Sequence, residues 1–249
     1  MADPWSLSFL LLLMVCILAV AILYSSVGHG GGSGYIAALA LFSVAPAALK
    51  PTALVLNILV SSVATFSFAR AGHFSWRLFW PFAAASIPCS FIGGYISLPL
   101  HVYKPLVGAI LLFSACRLFC RTEYVDTEIQ RPSAPVALIL GALLGLLSGL
   151  TGVGGGIFLS PLLLILKWGR VREVSAVAAL FVLVNSIAGL LGHLSSLQAI
   201  PYFAPMLAVA ALIGGSVGAT LGSRRLPVAA VMKSLAVVLV IAGIKMLFV

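Results

Sequence analysis

Two clusters of glycine interrupt the chain, each between two long apolar runs. One spans residues 28–32 and the other spans residues 152–156, so each half of the 249-residue chain holds one. Glycine is costly inside a helix, and bare backbone in lipid has no water to satisfy its N–H and C=O groups. Such breaks are tolerated where they are buried in protein or line a cavity. Paired breaks in two halves are typical of a transporter's substrate site.

The glycine clusters can supply the hydrogen-bond donors that an anion requires. Residues 30–32 and 154–156 immediately precede apolar helix starts, so their N–H groups can point at an oxyanion that approaches the bare backbone. The alternative is that these glycines only let helices pack closely in the membrane. Because two clusters with three consecutive glycines occupy matched positions, we favour a binding site.

Polar side chains near the clusters extend the candidate site. Asn57 and Asn185 each follow a cluster and fall in the middle of a later apolar run. They could contact the substrate, or they could only form the interhelical hydrogen bonds that hold a membrane bundle together. The predicted substrate-binding residues are Gly28, His29, Gly30, Gly31, Gly32, Ser33, Asn57, Gly152, Gly154, Gly155, Gly156 and Asn185.

His29 is the one titratable side chain in either cluster, and Val153 takes its place in the second. An imidazole changes charge near neutral pH, so His29 could carry a coupled proton or pair with an anion. It could equally be a neutral, hydrogen-bonded group at the tip of a hairpin. All five acidic residues fall outside the predicted spans, which disfavours transport of metal cations and leaves H⁺ and Na⁺ open as coupling ions.

An enzymatic alternative rests on one short motif. Residues 31–34 read Gly-Gly-Ser-Gly, and a distant His193 could complete an intramembrane serine protease. The second cluster has Ile157 in the place of Ser33, and such a motif is weak without its structural context. We therefore expect no enzyme, no catalytic residue, no bound metal and no cofactor.

The composition places the clusters in a membrane. Hydrophobic residues make up 62% of the chain and charged residues 8%, and the mean hydropathy is +1.22. No soluble domain of this length can hide so much apolar surface, and continuous apolar runs predict helices rather than a barrel. The formal net charge of +9 does not indicate a nucleic-acid partner, because most basic residues lie in short loops and orient the chain in the lipid bilayer.

Ten apolar runs form two sets of five. We expect a first transmembrane repeat at residues 1–119, a polar linker at 120–135 and a second repeat at 136–249. Later glycine pairs at 93–94 and 214–215 also correspond, which indicates a duplicated subdomain. The runs lie at about 6–24, 33–46, 52–69, 78–98, 103–119, 136–150, 157–167, 174–192, 200–221 and 228–248.

The distribution of Lys and Arg predicts how each half crosses the membrane. If the runs around each cluster form a hairpin, eleven of the fourteen basic residues lie on one face, and Lys50, Lys104 and Lys245 lie on the other. A kink within a single span splits them eight to six, so the positive-inside rule favours hairpins. The linker is then cytoplasmic and both termini are extracytoplasmic. An odd number of passes per half makes the repeats inverted.

The second cluster belongs to a longer pattern, which includes Gly145 and Gly149 before the cluster and Pro161 after it. The first half has Ala37 in the place of Pro161. With the first cluster, the two asparagines and the two-half layout, this pattern resembles the sulfite exporter TauE/SafE family of probable membrane transporters, over nearly the whole chain. The resemblance implies an inner-membrane secondary transporter. Its implied substrate is a small sulfur-containing anion, such as sulfite, sulfoacetate or another organosulfonate, moved by alternating access. A carrier of other small anions is the alternative.

Overall fold

The computed structural model describes residues 7–119, 132–195, 203–224, 239–241 and 243–248. Every regular element in this part of the chain is a helix, as continuous apolar runs predict. The last two ranges are helical as well. The helices are α1 (Leu7–Ser25), α2 (Gly32–Leu41), α3 (Pro46–Arg70), α4 (Trp76–Tyr95), α5 (Leu100–Phe119), α6 (Ala134–Thr151), α7 (Gly156–Ile165), α8 (Val171–Ser195) and α9 (Ala204–Arg224).

Five of the described helices are long and apolar enough to cross a bilayer, namely α1, α3, α6, α8 and α9. The two helices that follow the glycine clusters, α2 and α7, have 10 residues each, which is about half of a crossing. The prediction of an all-helical, multi-span protein is therefore confirmed.

Each half repeats the same local order of elements. A long helix ends before a glycine cluster, a ten-residue helix follows, and a helix of 25 residues comes next. The turns that end the short helices also correspond, because Ser43 and Lys167 both adopt a left-handed backbone, with φ of 57° and 56°. Pro46 begins α3, where a proline at the first helical position loses no hydrogen bond.

Helices of one half pack against helices of the other. Helix α4 packs on α6, and α1 packs on α9. Helices α3 and α8 contact each other. In addition, α3 contacts α9 and α8 contacts α4. Small residues make these approaches close: a Cβ on Gly145 of α6 would meet the carbonyl oxygen of Ser86, and one on Gly218 of α9 would meet that of Ile22. The middle of α3 and of α8 therefore lies inside the bundle.

Two charged residues occupy places that the sequence did not predict. Lys50, expected in a loop, lies in the first turns of α3 and is 7% exposed. Glu173, expected outside the spans, lies in the first turn of α8. Both helices begin earlier than the apolar runs, because α8 includes the charged residues 172–173 in its first turn and α3 includes Lys50 and the proline that follows it. Residues 120–131 of the predicted linker, and most of the last predicted run, lie outside the described residues.

Candidate functional site

The two glycine clusters meet at the side-chain amide of Asn57. A Cβ placed on Gly30 would lie 2.8 Å from Asn57 Oδ1. One placed on Gly32 or on Gly154 would lie 2.6 Å or 2.9 Å from Asn57 Nδ2. One residue of α3 thus contacts backbone of both clusters, and it does so only because these three positions have no side chain.

The Asn57 amide is fully buried and only partly hydrogen-bonded. Its Nδ2 donates to the carbonyl oxygen of Gly152 at 3.1 Å, whereas its Oδ1 has no hydrogen-bond partner in the structure. A buried polar atom without a partner typically costs about 1–3 kcal/mol. Such an atom is a candidate contact for a ligand or a water.

Helix α8 supplies the opposite wall of the site with Val182 and Ser186. The Val182 methyl groups would lie 2.6 Å from a Cβ on Gly30, 2.8 Å from one on Gly154 and 2.5 Å from one on Gly156. Ser186 Oγ would lie 3.3 Å from a Cβ on Gly154, and this buried hydroxyl has no hydrogen-bond partner in the structure. Neither residue is in the predicted set of site residues.

Two helices, α2 and α7, have their N-terminal ends at the site. Gly31 precedes α2 and Gly155 precedes α7, and both adopt a left-handed backbone, with φ of 102° and 78°. The N–H groups in the first turn of a helix have no partner within the helix, and the helix dipole makes this end positive. The two ends are neighbours, because a Cβ on Gly32 would meet the carbonyl oxygen of Val153. The arrangement favours an anion.

His29 and Ser33 border the site on the side of α1. The imidazole of His29 packs edge-on against the ring of Tyr24, with 6.4 Å between centroids. His29 Cδ2 would lie 3.4 Å from a Cβ on Gly156, so the histidine of the first cluster touches the second. The Ser33 hydroxyl pairs with the Tyr24 hydroxyl at 2.8 Å rather than with an imidazole, which does not resemble the arrangement of a serine protease.

Gly28 and Gly152 begin the two breaks, and each lies in close contact with backbone of the other half. A Cβ on Gly28 would meet the carbonyl oxygen of Ser175 near the start of α8. A Cβ on Gly152 would lie 2.9 Å from the carbonyl oxygen of Lys50 near the start of α3. Each break therefore rests on the first turns of a long helix from the other half.

The side chain of Asn185 hydrogen-bonds to helix α4. Its Nδ2 donates to Ser86 Oγ of α4 at 3.1 Å and to the Phe181 carbonyl at 2.8 Å, and its own carbonyl accepts from Ser90 Oγ at 2.7 Å. These bonds join α8 to α4. Asn185 thus forms the interhelical hydrogen bonds that the sequence left open as an alternative, and its Oδ1 is also buried without a partner in the structure.

A comparison with known families assigns the chain to one of them. The family model described as "Sulfite exporter TauE/SafE" matches residues 13–246, which is nearly the whole chain. The chain belongs to the TauE/SafE family. The sequence-based resemblance is therefore confirmed, and this TauE/SafE protein is a multi-pass membrane transporter.

Relatives of this TauE/SafE protein carry general transporter names. A probable membrane transporter protein of Sinorhizobium fredii is 41% identical over 240 residues, which cover 95% of this chain and 97% of that protein. One of Methanocaldococcus jannaschii is 28% identical over 76% of this chain and 74% of its own length. One of Bacillus subtilis is 21% identical over 97% of this chain and 98% of its own. No solved structure matches the chain significantly.

Proposed function

We propose that this TauE/SafE protein is a secondary transporter of a small sulfur-containing anion, such as sulfite, sulfoacetate or another organosulfonate. The anion binds between the two glycine clusters, beside Asn57. Membership of a family described as sulfite exporters supports the class of substrate. Transport of other small anions is the alternative, and the flux panel described below separates the two.

One observation carries this proposal: both glycine clusters contact the buried side-chain amide of Asn57, whose Oδ1 has no hydrogen-bond partner in the structure. Two helix N-termini, the Ser186 hydroxyl and the second N–H of Asn57 Nδ2 supply donors to an oxyanion, while Asn57 Oδ1 accepts from a bound water. The described residues bury no Asp or Glu, so no fixed negative charge competes with an anion there.

We propose further that the two halves are inverted repeats that alternate access to this site. The corresponding helices α2 and α7, α3 and α8, and the two left-handed glycine caps support a duplication. The packing is also reciprocal: α4 lies on α6 as α1 lies on α9. A rocking of one repeat against the other would expose the clusters to each side in turn.

The proposed location is the inner membrane, with both termini outside and the linker at residues 120–135 in the cytoplasm. The split of basic residues between the two faces supports this orientation. A proton or Na⁺ is the proposed coupling ion. His29 is the titratable group nearest the site, and carbonyl and hydroxyl oxygens such as those of Asn57 and Ser186 suit Na⁺.

Flux into proteoliposomes tests the proposed function. Purified protein is reconstituted and assayed with sulfite, sulfoacetate, sulfate and acetate, with and without imposed Na⁺ and pH gradients. The proposal expects saturable flux of a sulfur-containing anion above that of empty liposomes. Folded protein that moves acetate but none of the sulfur anions would support the alternative instead.

A further inference from the structure

A cavity of about 370 Å³ lies beside the second glycine cluster, where α3 begins and α4 ends. The polar residues that line it are Lys50, Ser97, Tyr103 and His193, and its other lining residues are apolar. The Tyr103 hydroxyl donates to the carbonyl of Thr151 at 3.4 Å, and the next residue is Gly152, whose carbonyl accepts from Asn57. The wall of the cavity is thus connected to the candidate site through two adjacent residues, Thr151 and Gly152. The volume of the cavity suits a small ligand.

Lys50 gives the wall of this cavity a positive charge. Its Nζ donates to the carbonyl oxygens of Gly93 at 3.2 Å, Gly94 at 2.8 Å and Ile96 at 3.1 Å, at the C-terminal end of α4. A helix C-terminus carries about half of a negative charge, so the ammonium group leaves a net positive charge there. Salt screens a buried charge weakly, and Lys50 is the one Lys, Arg, Asp or Glu that the described residues bury.

The other polar groups of the cavity do not cancel this charge. The described residues that line it include no Asp or Glu. Tyr103 and His193 are 7% and 1% exposed, so each presents its polar atoms inside the protein rather than to solvent. A positive, acid-free cavity with a hydroxyl and an imidazole in its wall suits a small anion better than a cation or an apolar ligand.

We propose that this cavity is an anion-binding vestibule on the extracytoplasmic side of the glycine clusters, in which a small oxyanion or sulfonate binds next to Lys50, Tyr103 and His193. Lys50 acts through its charge, because α4 accepts from its three N–H donors and the Thr151 carbonyl accepts from the Tyr103 hydroxyl. The inference rests on the proposed transport of an anion. Its test measures the charge and occupancy of the cavity without any transport.

The test uses a thiol at Ala47, which lines the cavity and is exposed. Ala47→Cys is made in a chain whose own cysteines are replaced by serine, and the purified protein is treated in detergent with two methanethiosulfonates. One reagent carries a sulfonate and the other a trimethylammonium group. We expect the anionic reagent to react faster, relative to each reagent's rate with a free thiol, and sulfoacetate to slow both reactions while choline does not.

Substitution of Lys50 assigns the effect to its charge. Lys50→Gln should lower the ratio of the anionic to the cationic rate by about tenfold, since one nearby charge acts on the two reagents in opposite directions. Lys50→Arg should keep the ratio. The matched control is Lys104→Gln, which removes a charge in α5 that does not line this cavity and should leave the ratio within about twofold.

Three results would overturn the vestibule. The ratio could be the same with Lys50→Gln as with Lys50, it could fall equally with Lys104→Gln, or sulfoacetate could fail to protect the thiol. The protection measurement keeps Lys50 intact, so it stands even if a Lys50 variant unfolds. A failed flux assay with a positive vestibule result would instead count against the proposed transport function alone.

Discussion

Asn57 Nδ2 donates a hydrogen bond of 3.1 Å to the carbonyl oxygen of Gly152, 95 positions further along the chain. This bond joins the long helix of the first half to the glycine break of the second. The same amide lies against the first cluster at Gly30 and Gly32. One polar side chain thus links both breaks, and a movement of either half must carry it or break this contact.

Variants at the contact between Gly156 and Val182 can distinguish a packing role of the second glycine cluster from a binding role. Gly156→Ala places a methyl group against Val182 Cγ2, and overpacking of this kind typically costs about 1–3 kcal/mol. Val182→Ala makes room for it. We expect the double variant to regain most of the thermal stability lost by Gly156→Ala, as measured by a melting scan. Its anion flux should stay low because the substrate approaches this backbone.

A second glycine–valine pair gives the matched control. Gly215 of α9 lies against Val60 of α3, and a Cβ on Gly215 would lie 3.0 Å from Val60 Cγ1. Neither Val60 nor Gly215 is among the nearest neighbours of the cluster glycines, so Gly215→Ala with Val60→Ala should recover flux together with stability. Full recovery of flux at the Gly156 pair as well would reduce the clusters to packing features.

The orientation of the chain can be read from thiol labelling in intact cells. In a cysteine-free background, Glu128→Cys should resist an impermeant maleimide because the linker is cytoplasmic in the proposed topology. His101→Cys is the control, since His101 is exposed at the start of α5 and belongs to the outer face. Labelling of the first variant and not the second would reverse the orientation.

The glycine breaks are predictable from the sequence because runs of glycine are rare in apolar segments. The structure requires glycine at Gly31 and Gly155, whose φ is positive. Val182 was missed because a valine in an apolar helix carries no signal of its own. Val182 lies eleven residues after Val171, as Asn57 lies eleven residues after Pro46, so the two occupy corresponding places in α8 and α3.

The register of α8 explains the different surroundings of the two asparagines. Asn185 lies three positions beyond Val182, which shifts it by about 4.5 Å along the helix and about 60° around it. That shift turns its amide to Ser86 of α4. The length of the loop before α8 sets this register, and an unaligned sequence does not reveal it. Lys50 was missed for a related reason, since a lysine beside a proline is typical of a loop.

His29 offers a test of proton coupling. His29→Gln keeps a hydrogen-bonding side chain, and the helix N-termini that favour the anion remain, so we expect downhill anion exchange to survive. Flux in vesicles with an imposed pH gradient then defines its role. Loss of gradient-driven accumulation assigns the coupled proton to His29, and unchanged accumulation leaves the imidazole a packing role against Tyr24. Loss of downhill exchange itself would contradict the expectation.

The central claim is that the transported anion binds at Asn57, and paired alanine variants test it most directly. The measurement is the KM for sulfoacetate or sulfite in proteoliposomes containing wild type, Asn57→Ala or Asn185→Ala. The second N–H of Asn57 Nδ2 can donate to the anion, and a hydrogen bond to a charged group is worth about 1.5–3 kcal/mol, so Asn57→Ala should raise KM about tenfold or more. Asn185→Ala removes two side-chain hydrogen bonds to α4 and α8 and should lower thermal stability while KM stays within about twofold of wild type. An unchanged KM in Asn57→Ala, or a larger rise in Asn185→Ala, would contradict the account.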